Sequence, residues 1–215
     1  MSDSIRDRRV QYETAGLDVA DLDADPIAQW QRWHDEALEA GVAEPNAMTL
    51  STIGIDGTPD SRIVLVRGLD ARGLVFYTNY DGAKSQQLDA NPVASATFGW
   101  LDLHRQVRVR GPVERVSAEE SDTYFSSRPR ASQLGAWSSP QSDEIADRSV
   151  LDDLVAAAAE RFVDVEVVPR PHNWGGWRLL PTEWEYWQGR PSRLHDRLRY
   201  RPVSGSTWDI TRLAP

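Results

Sequence analysis

The sequence predicts an α+β fold: a Greek-key-like antiparallel barrel with helices packed around it. Three observations lead there. From residue 48 the apolar residues fall into short strand-like runs, and five such runs follow one another closely. That order suits a meander or barrel and not a doubly wound sheet. Turn signals at Asp56-Gly57, Asp70-Ala71-Arg72-Gly73 and Asn91-Pro92 separate the runs. Helical patterns lie before, within and after this stretch, and strand-like sequence returns near the C-terminus. A chain of 215 residues is within single-domain size. The expected division is a flexible polar arm over 1–22 and one domain over 23–215.

Taken in order, Asp25-Pro26 reads as an N-cap followed by proline at the first helical position. Ile27, Trp30, His34, Ala37 and Leu38 follow at helical spacing, and Gly41 is the expected stop. Strands are expected at 48–53, 61–68, 73–79, 93–100 and 105–116, with a short helix at 84–90. Ile63-Val64-Leu65-Val66 is a continuous apolar run, as in a strand covered on both faces. Ser117-Ala118-Glu119-Glu120 matches a capping box and opens a helix to about 127. A further helix begins near Ser149, with Leu151, Leu154, Val155, Ala158 and Phe162 as its buried stripe. Strands then return at 177–180, 183–188, 194–201 and 207–213. Gly175-Gly176 reads as a bulge or a close packing point. Most of the nine tryptophans are expected in the core or an interface.

Composition narrows the function. Hydrophobic residues make up 40% and charged residues 27%, as in a soluble globular protein. No apolar run spans a bilayer, and the charged N-terminus lacks the apolar stretch of a secretory signal, so a cytoplasmic protein is expected. A net charge of −9 disfavours nucleic acid and anionic membrane as partners. Absence of cysteine excludes disulfides, thiolate metal sites and a cysteine nucleophile. The four histidines form no HxxxH or HExxH pair, so no metal is expected. GxSxG, GxGxxG and a P-loop are absent. Lysine plus arginine number 24, yet Lys84 is the one lysine.

What remains is arginines and polar groups beside aromatics. Arg128-Pro129-Arg130 follows Tyr124, and Arg193-Leu194-His195-Asp196-Arg197 follows Trp187-Gln188-Gly189. In a strand Arg193, His195 and Arg197 share one face. Such a face is either an anion site or a solvated surface of salt bridges.

At these residues the chain resembles the pyridoxine/pyridoxamine 5′-phosphate oxidase family, over nearly its whole length. The resemblance is carried by Arg62-Ile-Val-Leu-Val-Arg67, Phe76-Tyr-Thr-Asn79, Arg105-Gln-Val107, the stretch from Tyr124 to Trp137, and Gln141-Ser142. Glu185-Tyr-Trp-Gln-Gly189, Arg193-Leu-His-Asp-Arg197 and the ending Arg212-Leu-Ala-Pro215 continue it. The resemblance implies an FMN-binding split β-barrel acting as a homodimer, with two FMN molecules at the interface and residues of both chains in each site. It implies oxidation of pyridoxamine or pyridoxine 5′-phosphate to pyridoxal 5′-phosphate, with dioxygen as acceptor giving hydrogen peroxide. By the same resemblance, Arg62, Ile63, Val64, Leu65, Val66, Arg67, Tyr77, Thr78, Lys84, Gln106, Gln141, Ser142, Trp187 and Arg197 fall at FMN positions. Arg9, Tyr12, Arg67, Tyr124, Arg128, Ser132, Arg193 and His195 fall at substrate positions, with Arg193 and His195 nearest the chemistry. Tyr124, Arg128 and Ser132 correspond to the substrate phosphate site, and Arg9 and Tyr12 to an arm that closes over the substrate. Two departures stand out: Arg67 stands where the family commonly has lysine, and Ala83 where it commonly has arginine. Two other readings fit the residues: a related flavin oxidase of another aromatic ring, as in phenazine assembly, and a non-catalytic flavin or pyridoxal-phosphate binding protein.

Overall fold

The computed structural model describes residues 12–204 and 207–215. They fall into two compact units, one of 12–49, 95–110, 181–204 and 207–215, the other of 50–94 and 111–180.

In the first unit, helix α1 (Pro26–Glu39) opens where the Asp25 carboxylate accepts the Ile27 N–H at 3.0 Å, with Pro26 filling a position that needs no donor. It stops at Ala40, and Gly41 adopts φ +77°, a conformation glycine takes without steric cost. The buried face holds Gln29, Trp30, Trp33 and Ala37. Leu38, expected inside, is 53% exposed. The helix instead turns Trp33 inward, against Trp100 and Tyr186 at ring-centroid distances of 6.4 and 5.2 Å. Strands β1 (Ala47–Ile53), β5 (Val93–Trp100) and β6 (Arg105–Arg115) contribute their unit-one residues to an antiparallel sheet with β8 (Glu183–Gln188), β9 (Asp196–Ser204) and β10 (Thr207–Leu213), ordered β10-β9-β8-β6-β5-β1. Val107 faces Tyr186, which faces Leu198. The core is aromatic, as expected of so many tryptophans, with Trp30, Trp33, Phe98, Trp100, Trp184, Tyr186 and Tyr200 all buried. The Tyr186 hydroxyl is satisfied by the Pro26 carbonyl at 2.6 Å.

In the second unit, β4 (Gly73–Asn79) lies between β3 (Gly68–Asp70) and β7 (Trp174–Leu179), and β7 also pairs residues 113–115 of β6. Strand β2 (Pro59–Leu65) pairs β1 and ends the strand order. Helices α2 (Ala83–Ala90), α3 (Ala118–Ser127), α4 (Arg130–Ser138) and α5 (Arg148–Arg161) complete it. The Ser117 hydroxyl caps α3 by accepting from the Glu120 N–H. The Glu120 carboxylate is drawn to Arg178, 1% exposed, which it shares with Asp70 at 2.7 Å each, so only half of the expected capping box forms. A Cβ on Gly176 would lie 2.6 Å from Val116 Cγ2 and 2.8 Å from the Tyr77 ring, so this glycine is the close packing point expected there.

Several elements differ from expectation. The strand at 61–68 is two strands broken at Val66-Arg67, where the Arg67 N–H donates to the Val75 carbonyl. Its apolar run is not covered on both faces: Ile63 is 73% exposed, and Val64 and Leu65 are half-buried. Helix α4 covers a stretch for which no element was expected. Along α5, only Ala158 and the following Phe162 of the expected stripe are buried, while Leu154 and Val155 face outward.

Candidate functional site

In the second unit a cavity of about 720 Å³ is lined by Arg62, Ile63, Val64, Leu65, Arg67, Tyr77, Thr78, Lys84, Tyr124, Ser127, Arg128, Pro129, Ser132, Gln141 and Trp174. Four of these residues are basic and none is acidic, in a chain of net charge −9. Strand β2 supplies the wall from Arg62 to Leu65. Arg62 is held from behind: Nη1 donates to Thr52 Oγ1 at 2.5 Å, and Nη2 to Gln87 Oε1 at 3.0 Å and to the Asp60 carboxylate. Lys84, in the first turn of α2, donates to Gln141 Oε1 at 2.7 Å and Thr78 Oγ1 at 3.1 Å. No carboxylate ion pair to Lys84 or Arg128 occurs among the described residues. Burial, and then the nearby Arg62, lowers the Lys84 ammonium below its ordinary pKa.

Elsewhere on the lining, Arg128 leaves the end of α3 with its guanidinium 4.5 Å above the Trp174 ring. Its Nη1 is buried without a hydrogen-bond partner among the described residues. Burial lowers its pKa, and the charge of Arg67 acts in the same direction. Tyr77, Tyr124 and Trp174 lie nearly parallel, with Tyr77 and Tyr124 centroids 3.9 Å apart. Burial pushes the Tyr77 phenol up to about 12, so it stays protonated at neutral pH. Two lone cations with spare donors, one of them an orphaned buried N–H, constitute a donor set for oxyanions. FMN, with a phosphate at the end of a ribityl chain attached to a flat ring system, fits that chemistry.

The expected site residues are therefore grouped by unit. Of the second-unit residues, all but two line the cavity. Val66 is buried, and Ser142, at φ +77°, accepts the Ala83 N–H on its Oγ at 3.1 Å. In the first unit, Tyr12, Trp187 and His195 gather with His104, with ring centroids of 4.2 Å for Tyr12–His104 and 4.6 Å for Trp187–His195. Gln106 stands opposite Trp187 in the sheet. His195 Nδ1 accepts the Arg190 N–H at 3.1 Å, which in the neutral ring leaves the proton on Nε2. Arg197 is bound to the Glu185 carboxylate at 2.9 and 3.1 Å, which raises its pKa. The expected common face of Arg193, His195 and Arg197 does not form. Pro191–Arg193 is a 3-10 turn with Ser192 and Arg193 at φ +58° and +63°, and the strand begins only at Asp196. Arg9 lies outside the described residues. Trp174 and His104 were not singled out by sequence, because each is one residue among strand or turn neighbours.

Known proteins now enter the comparison. Residues 34–162 match the family model of pyridoxamine 5′-phosphate oxidase, and residues 174–215 match that of the pyridoxine 5′-phosphate oxidase C-terminal dimerisation region. A pyridoxine/pyridoxamine 5′-phosphate oxidase of Ralstonia pickettii (strain 12J) is 55% identical over 212 residues, 99% of both chains. One of Methylibium petroleiphilum is 52% identical over 215 residues, 100% of both. Among solved structures, PhzG from Burkholderia lata 383, in complex with tetrahydrophenazine-1-carboxylic acid, superposes with a TM-score of 0.86 at 31% identity, covering 96% of this chain and 100% of that one. A pyridoxamine 5′-phosphate oxidase-related, FMN binding protein of Nostoc punctiforme shares the fold, with a TM-score of 0.68 at 17% identity over 86% of this chain and 97% of that one. The chain thus belongs to the pyridoxine/pyridoxamine 5′-phosphate oxidase family, FMN-dependent oxidoreductases built on the α+β split barrel.

Proposed function

We propose that this protein is a cytoplasmic homodimer that binds FMN and oxidises pyridoxamine or pyridoxine 5′-phosphate to pyridoxal 5′-phosphate. The observation that carries the reading is the cavity with four cations and no acid on its lining. Lys84 and Arg62 hold the cofactor phosphate, with Thr78, Gln141 and Ser142 as neutral donors, and the β2 backbone lies along the ring. Arg128, Ser132 and Tyr124 hold the substrate phosphate by charge-assisted and hydroxyl hydrogen bonds. Bound FMN supplies a two-electron acceptor for the hydrogen on substrate C4′ and returns the electrons to dioxygen. Per turnover the alcohol and O2 give the aldehyde and H2O2; the amine also takes up water and releases ammonia. The protein's task is to position C4′ and to control charge. Arg193 and His195 complete the site, with His195 offering an Nε2–H donor. Gln106, Trp187 and Arg197 reach the cofactor, and Tyr12 closes over the substrate. The match of 174–215 to a dimerisation region and the exposed Ile63 support a site shared between two copies. No helix among the described residues is long and apolar enough to cross a membrane.

A second reading, oxidation of a phenazine-type ring, is favoured by the likeness to PhzG. Arg128, which has no carboxylate partner among the described residues, and its neighbours Tyr124 and Ser132 argue instead for a phosphorylated substrate. Purified protein loaded with FMN, given pyridoxamine 5′-phosphate in air, should form pyridoxal 5′-phosphate and peroxide in equal amounts. No product with that substrate, but turnover of a dihydrophenazine carboxylate, would establish the second reading.

A further inference from the structure

We infer that Trp174 is a positioning residue for substrate phosphate, acting through Arg128; the inference rests on the phosphate reading above. Trp174 opens β7, is 6% exposed overall, and still contributes to the cavity lining. The Arg128 guanidinium lies 4.5 Å from its ring centroid, and no acid pairs with Arg128 among the described residues. An arginine with no carboxylate partner has many rotamers open to it. A flat indole beneath the guanidinium selects one of them while leaving the edge N–H groups free. One of those groups, Nη1, is buried with no partner among the described residues. Trp174 is fixed in turn. Its ring is parallel to that of Tyr124 within 6° and to that of Tyr77 within 10°. It also packs in a core cluster with Phe125, Phe162 and Val168. A carboxylate in the same place would hold Arg128 too, but it would neutralise the charge that an oxyanion needs. An aromatic face holds the cation without competing for its hydrogen bonds.

The test measures binding of pyridoxal 5′-phosphate and of unphosphorylated pyridoxal to the FMN-loaded protein by calorimetry. Trp174→Leu should weaken pyridoxal 5′-phosphate by about tenfold. Affinity for pyridoxal and for FMN should stay within about twofold. Trp174→Phe, which keeps a smaller face, should fall between. In an Arg128→Ala background the Trp174 substitutions should add nothing, since the group they orient is gone. Unchanged pyridoxal 5′-phosphate affinity, an equal loss for pyridoxal, or full additivity with Arg128→Ala would overturn the inference. If Trp174→Leu does not fold, the Trp174→Phe cycle decides by the same criteria. Failure of the unsubstituted protein to prefer pyridoxal 5′-phosphate over pyridoxal would instead refute the phosphate reading itself.

Discussion

The Glu185 carboxylate grips the Arg197 guanidinium with both oxygens, at 2.9 and 3.1 Å, and also reaches Arg108 at 3.3 Å. Its side chain is 6% exposed, so two cations depend on one nearly buried anion. Glu185→Gln removes the charge and turns an amide toward donors. Unfolding free energy should fall by about 1–2 kcal/mol, less than for a fully buried pair because Arg197 and Arg108 keep access to solvent. FMN affinity should fall with it as Arg197 loses its anchor. Urea unfolding and a flavin fluorescence titration check the two effects separately.

Ser192 and Arg193 both sit in the left-handed region, at φ +58° and +63°. That conformation costs a non-glycine residue about 1 kcal/mol. Ser192→Gly should therefore stabilise the protein by a few tenths to about 1 kcal/mol in thermal unfolding. Arg193→Ala should lower kcat/KM by roughly 100-fold, about 2.7 kcal/mol of transition-state stabilisation, with FMN content unchanged. An Arg193→Ala protein with normal turnover would remove this turn from the chemistry.

Ala83 starts α2 beside Lys84, and its own N–H is committed to Ser142 Oγ. That amide is not free to replace a missing cationic partner of the cofactor phosphate. Ala83→Arg should thus tighten FMN by about tenfold at low salt, with the gain shrinking as salt is added. The competing outcome is local. Ala83 also borders an open cavity lined by Asp56 and Asp60, and an arginine drawn there would leave FMN affinity unmoved. Titrations at two salt concentrations separate the outcomes.

Asp70 predicts an acid-sensitive limb. Burial pushes its carboxyl up, but hydrogen bonds from the Arg72 side chain and N–H, with the charge of Arg178, outweigh this and hold it below the usual value. A depressed native pKa stabilises the fold above the unfolded value of about 3.9, and that contribution is lost as pH falls through the native one. Stability should therefore decline below about pH 4. Asp70→Asn should cost roughly 2 kcal/mol at pH 7 and flatten that decline, because Arg178 keeps only Glu120. Denaturant midpoints from pH 7 to 3 measure both.

The sequence was most legible where turns and period agreed. Strands 73–79, 93–100, 183–188 and 207–213 have the expected ends, since glycine, proline or a reversal of alternation bounds each one. It was least legible in α4, where Leu134, Ala136 and Trp137 pack against a core cluster but are too few to set a clear period among the serines, glutamine and glycine around them. The segment 194–201 was misread for a different reason: alternation of Arg193, His195 and Arg197 imitates a strand, while Pro191-Ser192 directs a turn. Within the cavity, motif resemblance named the groups that carry charge. It did not name Trp174, whose importance lies in what it touches.

Strand β2 ends the strand order and exposes Ile63 beside Val64 and Leu65. A short β-branched, proline-free segment on an open edge is the kind that templates intermolecular cross-β stacking. In this chain an arginine stands at each end of it, Arg62 and Arg67. Two like charges so close to the segment penalise in-register stacking of identical strands, as gatekeeper residues do. Arg62 on this strand and Arg67 just beyond its end thus also protect the newly made chain before anything covers it. Changing them for the sake of specificity carries a solubility cost that no assay of turnover would reveal.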